Sequence, residues 1–303
     1  MSASARFACS ASKYVLFQDW LNVSDSNTET RLAHERGVAA FYGTGLDRVD
    51  DDLNWELTYG LWRSASDTYA QAAANMWDQL FQGLSLVPGE SVVVDVAPGM
   101  GKELIHLYEK FRPKRIVGVD LTPQHVVRSN RLIAKHGLSE HIEVILGSGT
   151  QIDKLFGKEF ATHVICVEGT SQMKGRVEFF RSAKAILRPG GVLGICDATL
   201  RRPPGAWLPL VQLAARAWKM PSENILTAPE FAAQLRDLGF NVTTQEIGDR
   251  VWAPYCRAKS KEFRSDIGRR GLAQAMGFAL INQLLALADR SGTIGYSVVV
   301  GKT

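Results

Sequence analysis

Val92-Val93-Val94-Asp95-Val96-Ala97-Pro98-Gly99-Met100-Gly101-Lys102-Glu103 joins an apolar run to a turn holding two glycines and then to a helical pattern, Gly101–Lys110. A buried strand that passes through such a turn into a helix brings bare backbone close to a ligand at the carboxyl end of a parallel sheet. A dinucleotide fingerprint would place a third glycine three residues past Gly101, where Leu104 stands. A nicotinamide oxidoreductase is therefore the weaker reading of this turn.

Outward from it, short β-rich runs alternate with helical patterns. The runs are Arg115–Val119, Ile142–Leu146, His163–Val167 and Val192–Cys196, and the patterns are Pro123–His136 and Gly175–Leu187. This alternation predicts an α/β domain, a doubly wound and mostly parallel sheet with helices on both faces. A helix at Ala228–Leu238 and strands at Asn241–Ile247 and Gly295–Val300 complete it. Upstream, helical pattern begins after the capping candidates Ser24 to Asn27, breaks at the acidic stretch Asp47 to Asp52, and resumes from Ser66 to Leu84. We expect a flexible arm over 1–26, an N-terminal helical cover over 27–86, and the sheet domain over 87–303. Apolar cap insertions are expected at about 203–226 and 252–290, because Trp207–Met220 and Gly271–Asp289 carry more apolar surface than helices flanking a sheet need.

With 46% hydrophobic and 22% charged residues, the 303-residue chain can bury a full core, which excludes a mainly disordered or collagen-like protein. The net charge of +4 sits in the C-terminal third, with six basic residues between Arg257 and Arg270. That excess is too small to argue for nucleic acid; the run reads as a solvated face, with an anionic substrate group or a membrane surface as alternatives. Cys9, Cys166, Cys196 and Cys256 lie far apart without a CxxC pair, so neither a metal site nor a disulfide framework is expected. The N-terminus lacks the apolar stretch of a signal peptide, and Gln274, Asn282 and Gln283 interrupt the longest apolar helix. These features predict a soluble, cytoplasmic protein without a transmembrane segment; assembly as a homodimer is left open.

The alternate spacing of Asp95, Ala97, Gly99 and Gly101 resembles motif I, [DE]-x-G-x-G-x-G, of class I S-adenosylmethionine-dependent methyltransferases. Further motifs match in order. Asp120 ends the second strand 25 residues after Asp95, Leu146-Gly147-Ser148-Gly149-Thr150 follows the third, Val167-Glu168-Gly169-Thr170-Ser171-Gln172-Met173 the fourth, and Ile186-Leu187-Arg188-Pro189-Gly190-Gly191 precedes the fifth. Asn54-Trp55-Glu56-Leu57-Thr58-Tyr59-Gly60-Leu61-Trp62 is similar to the "N-x-H-x-G-Y-W" segment of the small-molecule branch, which includes natural-product O-methyltransferases and sterol and prenyl C-methyltransferases. The resemblance implies a Rossmann-like methyltransferase fold with S-adenosyl-L-methionine as cofactor and S-adenosyl-L-homocysteine as product. It implies cofactor contacts at Asp95, Ala97, Pro98, Gly99, Gly101, Asp120, Leu121, Gln124, Gly147, Ser148, Gly149, Val167 and Glu168, with Tyr42 and Tyr59 reaching the methionine end or serving as ordinary aromatic packing. Asp120 would hold the ribose hydroxyls.

Three departures qualify the match. The first motif I glycine is Ala97, which suits the turn if its φ is negative. Ser148 stands where the family places an adenine-contacting Asp. Ser171-Gln172-Met173 replaces a segment in which O-methylating relatives carry a catalytic His, which argues against His-based deprotonation. Glu168 and Asp197, each just beyond a strand, are left as catalytic candidates. Either could act as a base or stabilise a cation, Glu168 could instead fix the cofactor's amino-acid end, and either could be a loop anchor. The expected activity is methyl transfer to a small, largely apolar acceptor such as a terpenoid, polyketide or alkaloid, on C, N or O. A cofactor-binding pseudo-enzyme and a methyltransferase acting on RNA are the rival readings.

Overall fold

A computed structural model describes residues 26–43, 57–261 and 272–303. The expected arm, the Asp47–Asp52 stretch, Asn54 to Glu56 and most of the basic run, from 262 on, lie outside the described residues. The helices are α1 (Ser26–Gly43), α2 (Tyr69–Phe81), α3 (Lys102–Phe111), α4 (Pro123–Lys135), the single turn α5 (Ile152–Leu155), α6 (Arg176–Ile186), α7 (Leu208–Ala217), α8 (Ala228–Arg236), α9 (Trp252–Lys261) and α10 (Leu272–Arg290). The strands are β1 (Val92–Val96), β2 (Arg115–Asp120), β3 (Ile142–Leu146), β4 (Ala161–Val167), β5 (Leu187–Leu200), β6 (Asn241–Glu246) and β7 (Ile294–Lys302).

One seven-stranded sheet has the order β3-β2-β1-β4-β5-β7-β6. The first five strands run parallel, and β7 is antiparallel to both β5 and β6. Order reverses between β1 and β4, and a crevice at the carboxyl ends on either side of that switch is where open α/β sheets hold ligands. Alternate side chains of the central strands enter opposite cores. Val93 and Ile165 pack toward α2 and α3 with Met76, Leu80, Phe81 and Leu104, whereas Val94 and Val164 pack toward α6 and α8 with Phe179, Phe180 and Phe231. A strand buried on both faces reads as an unbroken apolar run, which is why Val92–Val96 stood out in the sequence.

Local chemistry sets the element ends. Thr68 and Gln71 form a capping box that starts α2 three residues inside the expected helix. Strand β5 begins at Leu187 instead of Val192: Ala161 pairs with Leu187 and His163 already with Val192, so the Arg188-Pro189-Gly190-Gly191 segment is accommodated as a bulge. In the same core as α2 and α3, which holds Trp252, Tyr255 and Leu285, α9 packs on α10, and α10 packs on α7. Asn282, which interrupts the apolar pattern of α10, donates from Nδ2 to Cys256 O and Ser260 Oγ, both at 3.0 Å, and so ties α9 to α10. Among the described residues, no helix is long and apolar enough to cross a membrane.

Candidate active site

The carboxyl end of β2 supplies the first fixed charge. Asp120 is buried, accepts the Gly99 N–H at 3.1 Å through Oδ2 and the Thr122 N–H at 2.8 Å through Oδ1, and lies 3.2 and 3.3 Å from His125 Nδ1. These bonds lock the carboxylate against the turn after β1 and the start of α4. His125 Nε2, buried in the same wall, has no partner among the described residues. Asp120, His125, Ala97, Gly99, Leu121 and Val167 border a crevice of about 770 Å³, measured to its open mouth.

At the end of β3 the floor is made of small residues. A Cβ on Gly149 would lie 2.5 Å from Val96 Cγ1 and 2.9 Å from Met173 Cε, so only glycine allows this approach. Ser148 Oγ donates to Glu35 Oε1 at 2.8 Å, and Thr150 Oγ1 donates to the same oxygen at 3.2 Å. Glu35 comes from α1, lines the crevice beside Gly147 and Ser148, and is only 6% exposed. Burial pushes its carboxyl above the ordinary range against the pull of Ser148, and Oε2 has no partner among the described residues.

At the end of β4 stands Glu168, with φ of +59°, a conformation that costs a non-glycine residue roughly 1–3 kcal/mol and persists where neighbours enforce it. Here they do. Oε1 accepts Thr58 Oγ1 at 2.8 Å, Tyr59 N–H at 3.0 Å and Tyr296 O–H at 2.7 Å, while Oε2 shares only the Tyr59 N–H, at 3.0 Å. Burial pushes Glu168 up to about 8 although these donors draw it down. Next to it Ala97 has φ of +65°, so the negative φ under which an alanine would suit the turn is not met, and Gly169 packs so close that a Cβ there would meet Ala97 Cβ at 2.7 Å. The crowded crossing of the β1 and β4 ends explains this: the turn keeps the left-handed geometry of the family's glycine and Ala97 bears the strain.

Tyr42 closes the crevice from α1. Its hydroxyl accepts from Gln172 Nε2 at 2.7 Å, and burial raises its pKa above the ordinary phenol value. Gln172 also borders a second cavity of about 860 Å³, measured to its mouth, which opens on the other side of that side chain. Its wall is mostly apolar, with Leu210, Val211 and Trp218 from α7 and its end, and Leu284, Leu285 and Ala288 from α10. Tyr59 lines this cavity, not the crevice, and sits at the hub of an aromatic cluster with ring centroids 4.6 Å from Trp252, 5.0 Å from Tyr255 and 6.3 Å from both Trp218 and Tyr296.

Several expected site residues stand back from both cavities. Asp197 is buried, and its carboxylate is consumed by Thr170 Oγ1 at 2.6 Å, Ser171 N–H at 2.7 Å and Ala198 N–H at 2.8 Å; it fastens the short turn that presents Gln172. Asp95 is fully buried beside Glu103, and burial lifts both carboxyls, Asp95 to about 7. Two such acids without other donors settle by sharing a proton. Gly101 caps α3 and packs on Ser129, Gln124 lies against Gly43, and Pro98 faces a smaller recess with Lys102 and Glu103. Conversely Glu35, Val38, Thr122, His125, Thr150 and Met173 border the crevice without having been expected there. Thr122 and His125 sit just beyond the Asp120 strand end and were within reach of sequence reading; Glu35 had no local signal.

The residues present fit S-adenosylmethionine. A rigid carboxylate at Asp120 suits vicinal ribose hydroxyls, Glu35 Oε2 and His125 Nε2, which have no partner among the described residues, suit a ligand's hydrogen bonds, and glycines keep the floor low. Comparison with known proteins agrees. A family model described as a methyltransferase domain matches residues 93–191. The erythromycin 3''-O-methyltransferase of Saccharopolyspora erythraea is 28% identical over 265 residues, 82% of each chain. The 27-O-demethylrifamycin SV methyltransferase of Amycolatopsis mediterranei is 25% identical, over 73% of this chain and 81% of that one. Among solved structures, the cyclopropane synthase MmaA2 of Mycobacterium tuberculosis superposes with a TM-score of 0.74 at 15% identity, covering 89% of this chain and 98% of that one. The geranyl diphosphate C-methyltransferase of Streptomyces coelicolor, solved with S-adenosyl-L-homocysteine, gives 0.71 at 15%, with the same coverage. Since the matched domain takes in β1 to β4, the strands whose carboxyl ends build the crevice, the chain carries an S-adenosylmethionine-dependent methyltransferase domain with the class I fold.

Proposed function

We propose that the enzyme methylates a bulky, largely apolar natural product, of the macrolide or polyketide class, held in the cavity between α7 and α10. The observation that carries this reading is the position of that cavity: it meets the cofactor crevice at the single side chain of Gln172. Its wall is apolar but for a few polar groups, among them Thr199 and Thr293, which would orient an otherwise apolar ligand. The erythromycin and rifamycin enzymes support the acceptor class.

The cofactor, when bound, supplies an electrophilic methyl group on a sulfonium. The protein's work is then to hold the acceptor atom in line with it at roughly 3–3.5 Å and to keep water out. Asp120 anchors the ribose. Gln172 and Tyr42 form the partition through which acceptor and methyl group meet, and Asp197 positions that partition through Thr170 and Ser171. Glu168 is the group we assign to take the acceptor's proton onto Oε2, the oxygen less occupied by donors among the described residues.

The test is turnover on a panel of macrolide, polyketide, terpenoid and alkaloid acceptors plus RNA, with products read by mass. Methylation of a macrolide or polyketide is expected. Turnover confined to RNA, or S-adenosylhomocysteine binding without turnover on any small acceptor, would overturn the reading.

A further inference from the structure

The sheet order provides a ruler for the cofactor. Glu168 and the Gln172 partition belong to the end of β4, Asp120 to β2, and Ser148 to β3 at the edge. The reacting end must face the acceptor cavity, on the β4 side, and the ribose suits Asp120. The base then extends outward to the end of β3, three strand spacings from β4, or roughly 14 Å. There the crevice wall is Gly147, Ser148, Gly149 and, from α1, Glu35.

Glu35 has the marks of a ligand-directed group. A carboxylate that were only a brace would use both oxygens; here Oε1 takes the hydroxyls of Ser148 and Thr150 while Oε2, equally buried, takes nothing among the described residues. Leaving a buried acceptor unsatisfied is costly, and the cost disappears when a ligand supplies the donor. The base end of an adenosyl ligand offers one such donor, the exocyclic 6-amino group.

We propose that Glu35 is the adenine-specificity residue of this enzyme: its Oε2 accepts a hydrogen bond from the 6-amino group, so that helix α1 reads the base from across the crevice. The arrangement makes cofactor recognition and α1 docking one event. Ser148 and Thr150 orient the carboxylate, and Arg31 Nη1, which donates to Thr150 Oγ1 at 3.2 Å, steadies the second of these hydroxyls from the preceding turn of α1. The raised pKa of Glu35 fits this role, since a ligand N–H would stabilise the ionised form that burial disfavours.

Calorimetry with S-adenosylhomocysteine and S-inosylhomocysteine, which carries a 6-oxo group in place of the amino group, tests the assignment on the full chain. The wild type should prefer the adenosyl ligand by about 10- to 100-fold. In Glu35→Gln the size is kept, and an amide that turns its NH2 toward the base now suits the 6-oxo group. The preference should fall to within threefold or invert. A second readout is hydrogen exchange: S-adenosylhomocysteine should slow exchange across α1 in the wild type and much less in Glu35→Gln. A wild type without preference, or a Glu35→Gln variant that keeps the full preference and the full α1 protection, would overturn the proposal. Failure of the wild type to bind S-adenosylhomocysteine at all would overturn it together with the cofactor assignment.

Discussion

The crevice and the cavity that meet at Gln172 are built on opposite principles. The crevice stands on strand ends, with its key carboxylates pinned by main-chain N–H groups: Gly99 and Thr122 hold Asp120, and Tyr59 holds Glu168. The cavity stands on helices α7 and α10, whose outward faces are apolar as well, with Leu213 57% exposed and Leu280 62% exposed. Main-chain bonds fix a charge to within tenths of an ångström, as an invariant cofactor requires; side-chain packing adapts to the shape of a variable acceptor. In the proposed reading chemistry falls to the wall between them, where Glu168, at a φ of +59°, is held by Thr58, Tyr59 and Tyr296.

The contrast predicts a double dissociation. Replacing Asp120 with Ala removes the ribose acceptor and should weaken S-adenosylhomocysteine binding by about 30- to 1,000-fold, roughly 2–4 kcal/mol, with acceptor KM little changed. Trp218→Ala, in the cavity wall, should do the reverse: an acceptor KM raised about tenfold with cofactor Kd held within threefold. If Asp120→Ala binds cofactor normally, the division between a pinned crevice and a packed cavity is wrong at its firmest point.

Glu168→Gln probes the wall. Turnover should fall about 10²-fold while S-adenosylhomocysteine affinity stays within a few-fold. A base is active when ionised, so with a folded-state value of about 8 the wild-type rate should climb from pH 7 to pH 9 and then level off, and the variant should show no such rise. Stability runs the other way. Because the folded value lies above the ordinary 4.5, the protonated form contributes stability that is full below pH 4.5 and lost as pH rises through 8. Denaturant melts at pH 9 should therefore find Glu168→Gln more stable than wild type, and equal melts at pH 4.5 and pH 9 would contradict the burial argument.

How much of this could be read beforehand follows the same division. The β1 turn, the Asp120 strand end and the β4 end are local: a few consecutive residues carry strand, turn and charge together, so their sequence announces the crevice. Glu35 and Ser148 are 113 residues apart, and nothing near Glu35 distinguishes it from a surface glutamate on a helix. Asp197 was expected just beyond the fifth strand but lies within β5, paired with Ser297, because the strand runs on to Leu200; where its side chain points was decided by Thr170 and Ser171, 27 and 26 residues away. The motif left Tyr59 open between the methionine end of the crevice and ordinary aromatic packing. Its backbone does touch Glu168, yet its ring packs among Trp252, Tyr255, Trp218 and Tyr296 on the cavity side. Periodicity locates elements; which way a side chain turns at an element's end is a tertiary matter.

The smallest effect concerns Ala97, whose backbone does not meet the condition of a negative φ under which an alanine suits the turn. With φ at +65° its Cβ crowds the backbone, a cost of roughly 1–2 kcal/mol that glycine escapes. Glycine returns part of that gain as unfolded-state entropy, roughly 0.5–1 kcal/mol, so Ala97→Gly should stabilise by no more than about 1.5 kcal/mol. For a chain of this size that is an upward shift in Tm of about 2 °C or less. Cofactor affinity should be unchanged or slightly improved, since the φ that shapes the crevice is the one glycine already favours. A lower Tm for Ala97→Gly would mean that the methyl group's contacts where the β1 and β4 ends cross outweigh its strain, and that the crevice is held by side-chain packing at the very turn where backbone geometry is taken to rule.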